Sequence, residues 1–217
     1  PCGEGSGSGI YFLVGPLIRK WPWLAPFPRY IEMEHTTICN KRCIMCEHTF
    51  WKDQEERHTS FDDFKFMIDQ FKGVRWVHLT GEGSSFLNPE FPRMMEYVRK
   101  EKRASLYIVD HLADLKEHEL RQMVELGLCG LYVSIDAATE ETYKKIRLGC
   151  SWKNVQANIR RLIEIKKELK SPLPEIIVRF VILKENMHEI PAFLDMVAQF
   201  ATPENRPWVS SGGIRIE

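Results

Sequence analysis

The alternation of short apolar runs with amphipathic stretches, which begins near residue 30, is the feature that most constrains the fold. Apolar and β-branched runs predict strands at 31–36, 74–79, 104–109, 131–135 and 176–183, with the start of a sixth at 214–217. Helical spacing of apolar residues predicts helices at 60–72, 88–100, 116–126, 139–147, 151–169 and 189–200. Connections of this length join parallel strands through right-handed crossovers. The sequence therefore predicts an α/β fold, an open partial (β/α)6-type barrel with parallel strands.

Residues that favour helix ends support these boundaries. Ser60 is placed to cap the helix at 60–72, and Asp63 stands at the capping-box distance. Pro89 is placed at the first position of the helix at 88–100, and Gly127 ends the helix at 116–126.

Three cysteines lie in one run after the first predicted strand: Cys39, Cys43 and Cys46, in the spacing C-x3-C-x2-C. Three thiolates on one loop can hold three irons of a four-iron, four-sulfur cluster and leave the fourth iron open to a small molecule. A zinc site completed by His35 or His48 is an alternative, although zinc sites usually combine two ligand pairs. A non-catalytic iron–sulfur or zinc module that binds a protein partner is the second functional hypothesis.

Polar residues follow two other predicted strands at their carboxyl ends, where parallel α/β folds gather ligand sites. Gly81 and Gly83 let the backbone approach a ligand closely, and Glu82 between them offers a carboxylate to an ammonium group. Ser134 and Asp136 are two residues apart, so both can face one ligand such as a ribose or an amino acid. Helix capping is the simpler interpretation of either residue alone.

Composition narrows the class of protein. The 217 residues carry 30 basic and 30 acidic side chains, so nothing favours nucleic acid as a partner. Six cysteines are too few for a disulfide scaffold, and three within one short run indicate a metal site in a reducing compartment, hence a cytoplasmic protein. Cys129 is predicted in the core, and for Cys150 both a core position and a redox role stay open.

Residues 1–30 are predicted to form a leader and a hydrophobic wrap, and residues 31–217 the core domain. The apolar stretch at 10–18 is about half of a membrane span. The aromatic residues at 11–27 weakly favour a large or hydrophobic substrate, peptide or lipid-like, and allow contact with a membrane surface. Because the chain ends within the sixth predicted strand, a C-terminal domain is expected to be missing or not covered.

The cysteine run, the Gly81-Glu82 loop, and the Ser134-Ile135-Asp136-Ala137 segment followed by the stretch at 143–147 together resemble the radical S-adenosylmethionine (SAM) superfamily. The resemblance covers roughly residues 30–200 and is greatest to the branch that often carries a SPASM or twitch domain. Two departures stand out. The usual Gly-Gly-Glu-Pro is here Thr-Gly-Glu-Gly, and Asp110-His111-Leu112 replaces a frequent Thr-Asn-Gly.

The resemblance implies a role for each motif residue. Cys39, Cys43 and Cys46 would ligate a [4Fe–4S] cluster. Contacts to SAM would come from the residues that match the family's binding motifs: Met45, Gly81, Glu82, Ser134, Asp136, Arg147 and Asn186.

The resemblance also implies the chemistry. A reduced cluster would cleave SAM to a 5′-deoxyadenosyl radical, which would abstract hydrogen from an unidentified substrate, with electrons from a donor such as ferredoxin or flavodoxin. His48, Trp51 and His58 are candidate groups on the substrate side, whereas His78, inside a strand, is predicted in the core.

Overall fold

The computed structural model describes residues 19–21, 25, 27–53, 55–202, 205, 207–211 and 214–216. These residues form a sheet of seven strands that follow one another in chain order. The strands are β1 (Tyr30–Met33), β2 (Trp76–Leu79), β3 (Ser105–Asp110), β4 (Gly130–Ser134), β5 (Glu175–Arg179), β6 (Trp208–Ser211) and β7 (Ile214–Ile216). Strands β1 to β6 are parallel, and β7 pairs antiparallel with β6. The predicted parallel α/β fold is confirmed.

Seven α-helices of the described residues connect and flank the strands. They are α1 (Glu47–Phe50), α2 (Phe61–Asp69), α3 (Phe91–Glu96), α4 (Glu117–Glu125), α5 (Glu140–Ile146), α6 (Trp152–Glu168) and α7 (Ile190–Ala198). A π-helical segment, Tyr97–Glu101, continues α3, and a 3₁₀ turn, Met187–Glu189, precedes α7. No helix among the residues that the structure describes is long and apolar enough to span a bilayer. The apolar stretch at 10–18 and most of the aromatic residues at 11–27 lie outside the described residues.

The two faces of the sheet differ in burial. Alternate strand residues on one face are fully buried under the helices: Val77, Leu79, Leu106, Ile108, Leu131, Val133, Ile176 and Val178. The other face carries larger polar groups, and there His78 lies 5.3 Å from Tyr132, centroid to centroid, with the Arg179 guanidinium also 5.3 Å from the Tyr132 ring. His78 is thus half-buried on the polar face rather than packed in the apolar core.

Helix capping follows the sequence signals in most places. Ser60 Oγ accepts a hydrogen bond from the Asp63 backbone N–H at 3.1 Å and begins α2 as predicted. Thr139 and Ser151 cap α5 and α6 in the same way. Gly127, just after α4, has a φ of 63°, a left-handed conformation that glycine adopts without steric cost.

Several boundaries differ from the prediction: β1 ends at Met33 instead of residue 36, and β5 ends at Arg179 instead of residue 183. The helix predicted from residue 88 begins at Phe91, because the Asn88 side chain forms a turn: its amide donates to the His35 carbonyl oxygen and its oxygen accepts from the Glu90 N–H. Pro89 therefore lies in that turn. The sixth parallel strand is Trp208–Ser211, which the sequence pattern missed, and the run at 214–217 contributes the antiparallel β7.

The buried carboxylate of Glu189 connects two segments of the carboxyl edge. It accepts hydrogen bonds from the Ala138 and Thr139 N–H groups and from the Thr139 and Thr142 hydroxyls, at distances of 2.5 to 3.2 Å. These donors lie immediately before α5 and in its first turn, where a negative charge is favoured. Although burial opposes ionisation, the donors hold the pKa of Glu189 below its ordinary value.

We predict that Glu189→Gln lowers the free energy of unfolding by about 2 kcal/mol at neutral pH, because the donors lose a charged acceptor. A carboxylate whose pKa is depressed in the folded state stabilises the fold above its unfolded pKa and loses that contribution as the pH falls. The difference between wild type and variant, measured by urea denaturation, should therefore shrink below about pH 4.5. Glu185→Gln, on the same loop but exposed, is the control. Equal stabilities at neutral pH would contradict the capping role.

Candidate functional site

The cysteine loop, residues 39–46, lies beyond the carboxyl end of β1 and is held against the segment after α5. The Arg42 N–H donates to the Leu148 carbonyl oxygen, and the Ile44 N–H donates to the Ile146 carbonyl oxygen, both at 3.0 Å. Cys43 is buried, Cys39 and Cys46 are half-buried, and all three are free thiols. Soft thiolates are the ligands that iron–sulfur clusters require, so this donor set fits such a cluster.

A buried lysine, which the sequence analysis did not single out, anchors the same loop. The Lys41 ammonium contacts Asp114 Oδ2 at 2.6 Å and the Gly149 carbonyl oxygen at 2.9 Å. The Asn40 side-chain amide donates to the same Asp114 oxygen at 3.0 Å. The sequence does place Lys41 between the candidate ligands Cys39 and Cys43. It does not show that the partner of Lys41 is Asp114, on a distant loop.

The glycine loop after β2 packs directly on the segment that leads to the cysteines. A Cβ atom at Gly83 would lie 2.3 Å from the Thr36 carbonyl oxygen, so only glycine fits there. The Glu82 N–H donates to Glu34 Oε1 at 2.6 Å. The Cys46 thiol in turn donates to Glu82 Oε2 at 3.5 Å, which brings the predicted ammonium-binding carboxylate beside a predicted cluster ligand.

Asp136, Arg147 and Asn186 form one buried network. Arg147 Nε donates to Asp136 Oδ2 at 2.6 Å, its Nη2 pairs with the same oxygen, and its Nη1 lies 3.7 Å from Cys43 Sγ. The Asn186 amide donates to the carbonyl oxygens of Asp136 and Val181, both at 2.8 Å. These three predicted residues therefore lie together and stabilise one another.

Ser134 and Met45 complete the set of sequence-predicted residues. Ser134 is the last residue of β4 and is paired in register with Arg179, and Met45 is half-buried between Cys43 and Cys46. Within the described part of the chain, neither side chain is hydrogen-bonded to another member of the set.

The Asp110-His111-Leu112 segment, which replaces the frequent Thr-Asn-Gly, forms a tight turn. Asp110 accepts a hydrogen bond from the Leu112 N–H, and His111 Nε2 lies 3.4 Å from Ser84 Oγ on the glycine loop.

The three thiols differ in their electrostatic surroundings. Hydrogen bonding with the thiol of Cys150 and the charge of Arg147 lower the pKa of Cys43 below that of an ordinary thiol. Burial and the neighbouring Glu82 raise the pKa of Cys46 to about 11. Burial also raises the pKa of Cys39. Cys43 is therefore the thiol that ionises most readily.

The histidines considered for zinc have other neighbours. His48 Nε2 lies 3.0 Å from the Thr37 carbonyl oxygen, and His35 stacks on Phe91 with ring centroids 4.4 Å apart. Burial lowers the pKa of His35 to about 4. Among residues 27–53 and 55–202, no three His, Cys, Asp or Glu side chains are already arranged around a common metal position. His48 is thus engaged through Nε2 by the backbone, and His35 is packed against an aromatic ring.

A parallel α/β sheet with three free thiols and a carboxylate at its carboxyl edge is the arrangement expected of a partial-barrel protein with an iron–sulfur site. Residues 33–197 match the sequence model of the Radical SAM superfamily, and the chain belongs to that superfamily. The family resemblance is therefore confirmed, and membership favours an enzyme over a non-catalytic module. Members of this superfamily use a [4Fe–4S] cluster and SAM.

Two curated relatives are similar to the core. One is the tungsten-containing aldehyde ferredoxin oxidoreductase cofactor-modifying protein of Pyrococcus furiosus, 30% identical over 167 residues, which cover 75% of this chain and 46% of the relative. The other is a probable GTP 3′,8-cyclase of Methanococcus maripaludis, 24% identical over 169 residues, which cover 77% and 54%. The chain spans about half the length of the curated relatives it matches.

Solved structures show the same fold. Streptococcus suis SuiB bound to SAM superposes with a TM-score of 0.69 at 14% identity, over 85% of this chain and 41% of SuiB. Methylornithine synthase (PylB) superposes with a TM-score of 0.64 at 15% identity, over 95% of this chain and 61% of PylB.

We predict that Asp114→Ala exposes Cys43. Without the carboxylate, the buried Lys41 ammonium loses its charged partner, and residues 40–42 no longer stay against Gly149. Alkylation of Cys43 by iodoacetamide, followed by mass spectrometry of the metal-free protein, should be about tenfold faster, equivalent to about 1.4 kcal/mol of opening free energy.

Asp62→Ala, in the exposed first turn of α2, is the matched control and should leave the alkylation rate unchanged. An unchanged rate in Asp114→Ala would show that the ion pair does not hold the loop.

Proposed function

We propose that Cys39, Cys43 and Cys46 hold three irons of a [4Fe–4S] cluster and that SAM binds at the remaining iron, with its amino group next to Glu82. The observation that supports this most directly is the 3.5 Å contact between Cys46 Sγ and Glu82 Oε2. A carboxylate this close to a cluster ligand can accept hydrogen bonds from an ammonium group bound at the cluster. When bound, the reduced cluster and SAM supply a 5′-deoxyadenosyl radical that takes a hydrogen atom from the substrate.

The remaining motif residues would orient SAM. Gly81 allows the backbone of the glycine loop to approach the ligand, and Met45 offers an apolar surface to the adenine. Ser134 provides a hydroxyl at the end of β4 for the ribose or the carboxylate.

The network of Asp136, Arg147 and Asn186 has a supporting role in this proposal. The Asn186 amide already makes three hydrogen bonds, two as donor and one as acceptor from the Leu183 N–H. Because their polar atoms are engaged, we infer that these residues position the ends of β4 and β5 beneath the SAM site.

We further propose an external one-electron donor such as ferredoxin or flavodoxin, and a cytoplasmic location in which free thiols stay reduced.

The exposed surface beside the cysteine loop supports a peptide or lipid-like substrate. Phe50 and Trp51 follow Cys46 at the end of α1, and both are more than half exposed. Exposed aromatic residues this close to a site favour a substrate with apolar groups.

Anaerobic reconstitution with iron and sulfide tests this function. The wild-type protein should acquire a [4Fe–4S] cluster and release 5′-deoxyadenosine from SAM under dithionite. Cys43→Ala should lose both properties. Glu82→Gln should keep the iron but bind SAM about tenfold or more weakly, a loss of about 1.4 kcal/mol, because an ammonium group then faces a neutral amide.

Glu47→Gln is the matched control, since Glu47 is an exposed carboxylate directly after Cys46. It should behave as wild type. Cleavage of SAM at the original rate by Cys43→Ala, or an unchanged KM for SAM in Glu82→Gln, would contradict the proposal.

A further inference from the structure

Cys43 differs from the other two cysteines of the loop in the groups that face its sulfur. Arg147 Nη1 donates toward Cys43 Sγ at 3.7 Å, and the buried thiol of Cys150 lies on the same segment, three residues after Arg147. The sulfur of Cys46 instead faces the carboxylate of Glu82. Arg147 and Cys150 are both shielded from water, since the Arg147 side chain is 13% exposed and Cys150 is buried.

The direction of the Arg147 guanidinium is set by its other partner. Its Nε and Nη2 both contact Asp136 Oδ2, and the Asp136 side chain is fully buried. Asp136 Oδ1 accepts from the Val181 N–H at 2.7 Å, so the carboxylate cannot rotate freely. Because a guanidinium is planar and rigid, fixing one edge on Asp136 directs Nη1 toward Cys43.

The position of Cys150 is set by the backbone. Its N–H donates to the Arg147 carbonyl oxygen at 3.0 Å, and the preceding Gly149 accepts from the Lys41 ammonium. The segment at 147–150 is thus held against the cysteine loop, with the Arg147 guanidinium directed at the sulfur of Cys43.

We propose that Arg147 and Cys150 are hydrogen-bond donors to the cluster ligand Cys43, and that they raise the reduction potential of the cluster. This inference rests on the proposed function, in which Cys43 ligates iron. Hydrogen bonds to a ligating sulfur withdraw electron density and stabilise the reduced cluster, which carries one more negative charge. Arg147 then affects electron transfer indirectly, because it acts on the reduction potential through the sulfur of Cys43.

Redox titration of the reconstituted protein, followed by electron paramagnetic resonance without SAM, measures this effect. In Arg147→Gln the ratio of reduced to oxidised cluster at a fixed potential should fall about tenfold, a shift of about 59 mV to more negative potential for a one-electron couple. Arg147→Lys should show a smaller shift in the same direction, because it keeps the charge but loses the planar fork. Cys150→Ala should also shift negative.

Arg121→Gln is the control, because Arg121 is paired with Glu168 on the helical surface and loses the same charge. If Arg147→Gln does not retain iron, Cys150→Ala decides the question. Wild-type midpoint potentials in the iron-loaded Arg147 and Cys150 variants would overturn the proposal. A shift in Arg147→Gln with none in Arg147→Lys would also overturn it, since charge alone would then account for the effect.

The two proposals fail in different ways. A wild-type protein that acquires no cluster, or that does not cleave SAM, contradicts the proposed function. A wild-type protein that does both, with variants of unchanged potential, contradicts only the role of Arg147 and Cys150.

Discussion

The buried ion pair between Asp136 and Arg147 is the interaction on which the geometry of the site depends. Through Asp136 it reaches the ends of β4 and β5, and through Arg147 it reaches the end of α5 and the cysteine loop. Removing one partner of a buried pair typically costs about 3–5 kcal/mol, because the other charge is left without compensation. Asp136 also has a φ of 60°, a conformation that few residues other than glycine adopt without a specific local interaction. Here its side chain and its carbonyl oxygen are both engaged.

The same edge of the sheet is tied together by a second, independent set of contacts. Lys41 joins the cysteine loop to the loop after β3, and Glu34 joins the segment after β1 to the glycine loop after β2. The Glu34 contact links the neighbouring strands β1 and β2, and the Lys41 contact links the loops after β1 and β3, which lie on either side of β2. The loop that carries the three thiols is therefore held at several points.

The sequence predicted the fold well because its signals are local. The alternation of apolar runs and helical stretches was enough for the parallel order, and Ser60 and Gly127 marked helix ends through chemistry that acts within one turn. The errors fell where distant contacts decide. Asn88 forms a turn because of the carbonyl oxygens of His35 and Thr59, and Trp208–Ser211 becomes a strand because β5 offers an edge to it. The motif residues were found by resemblance, whereas the partner of Lys41 on a distant loop needed three-dimensional proximity.

Mössbauer spectroscopy of the protein reconstituted with ⁵⁷Fe, recorded with and without SAM, tests the central claim most directly. If three cysteines hold the cluster, one iron of the four should show a distinct signal, and that signal alone should change when SAM is added. Four equivalent irons that do not respond to SAM, or the absence of a [4Fe–4S] signal after reconstitution, would contradict the account.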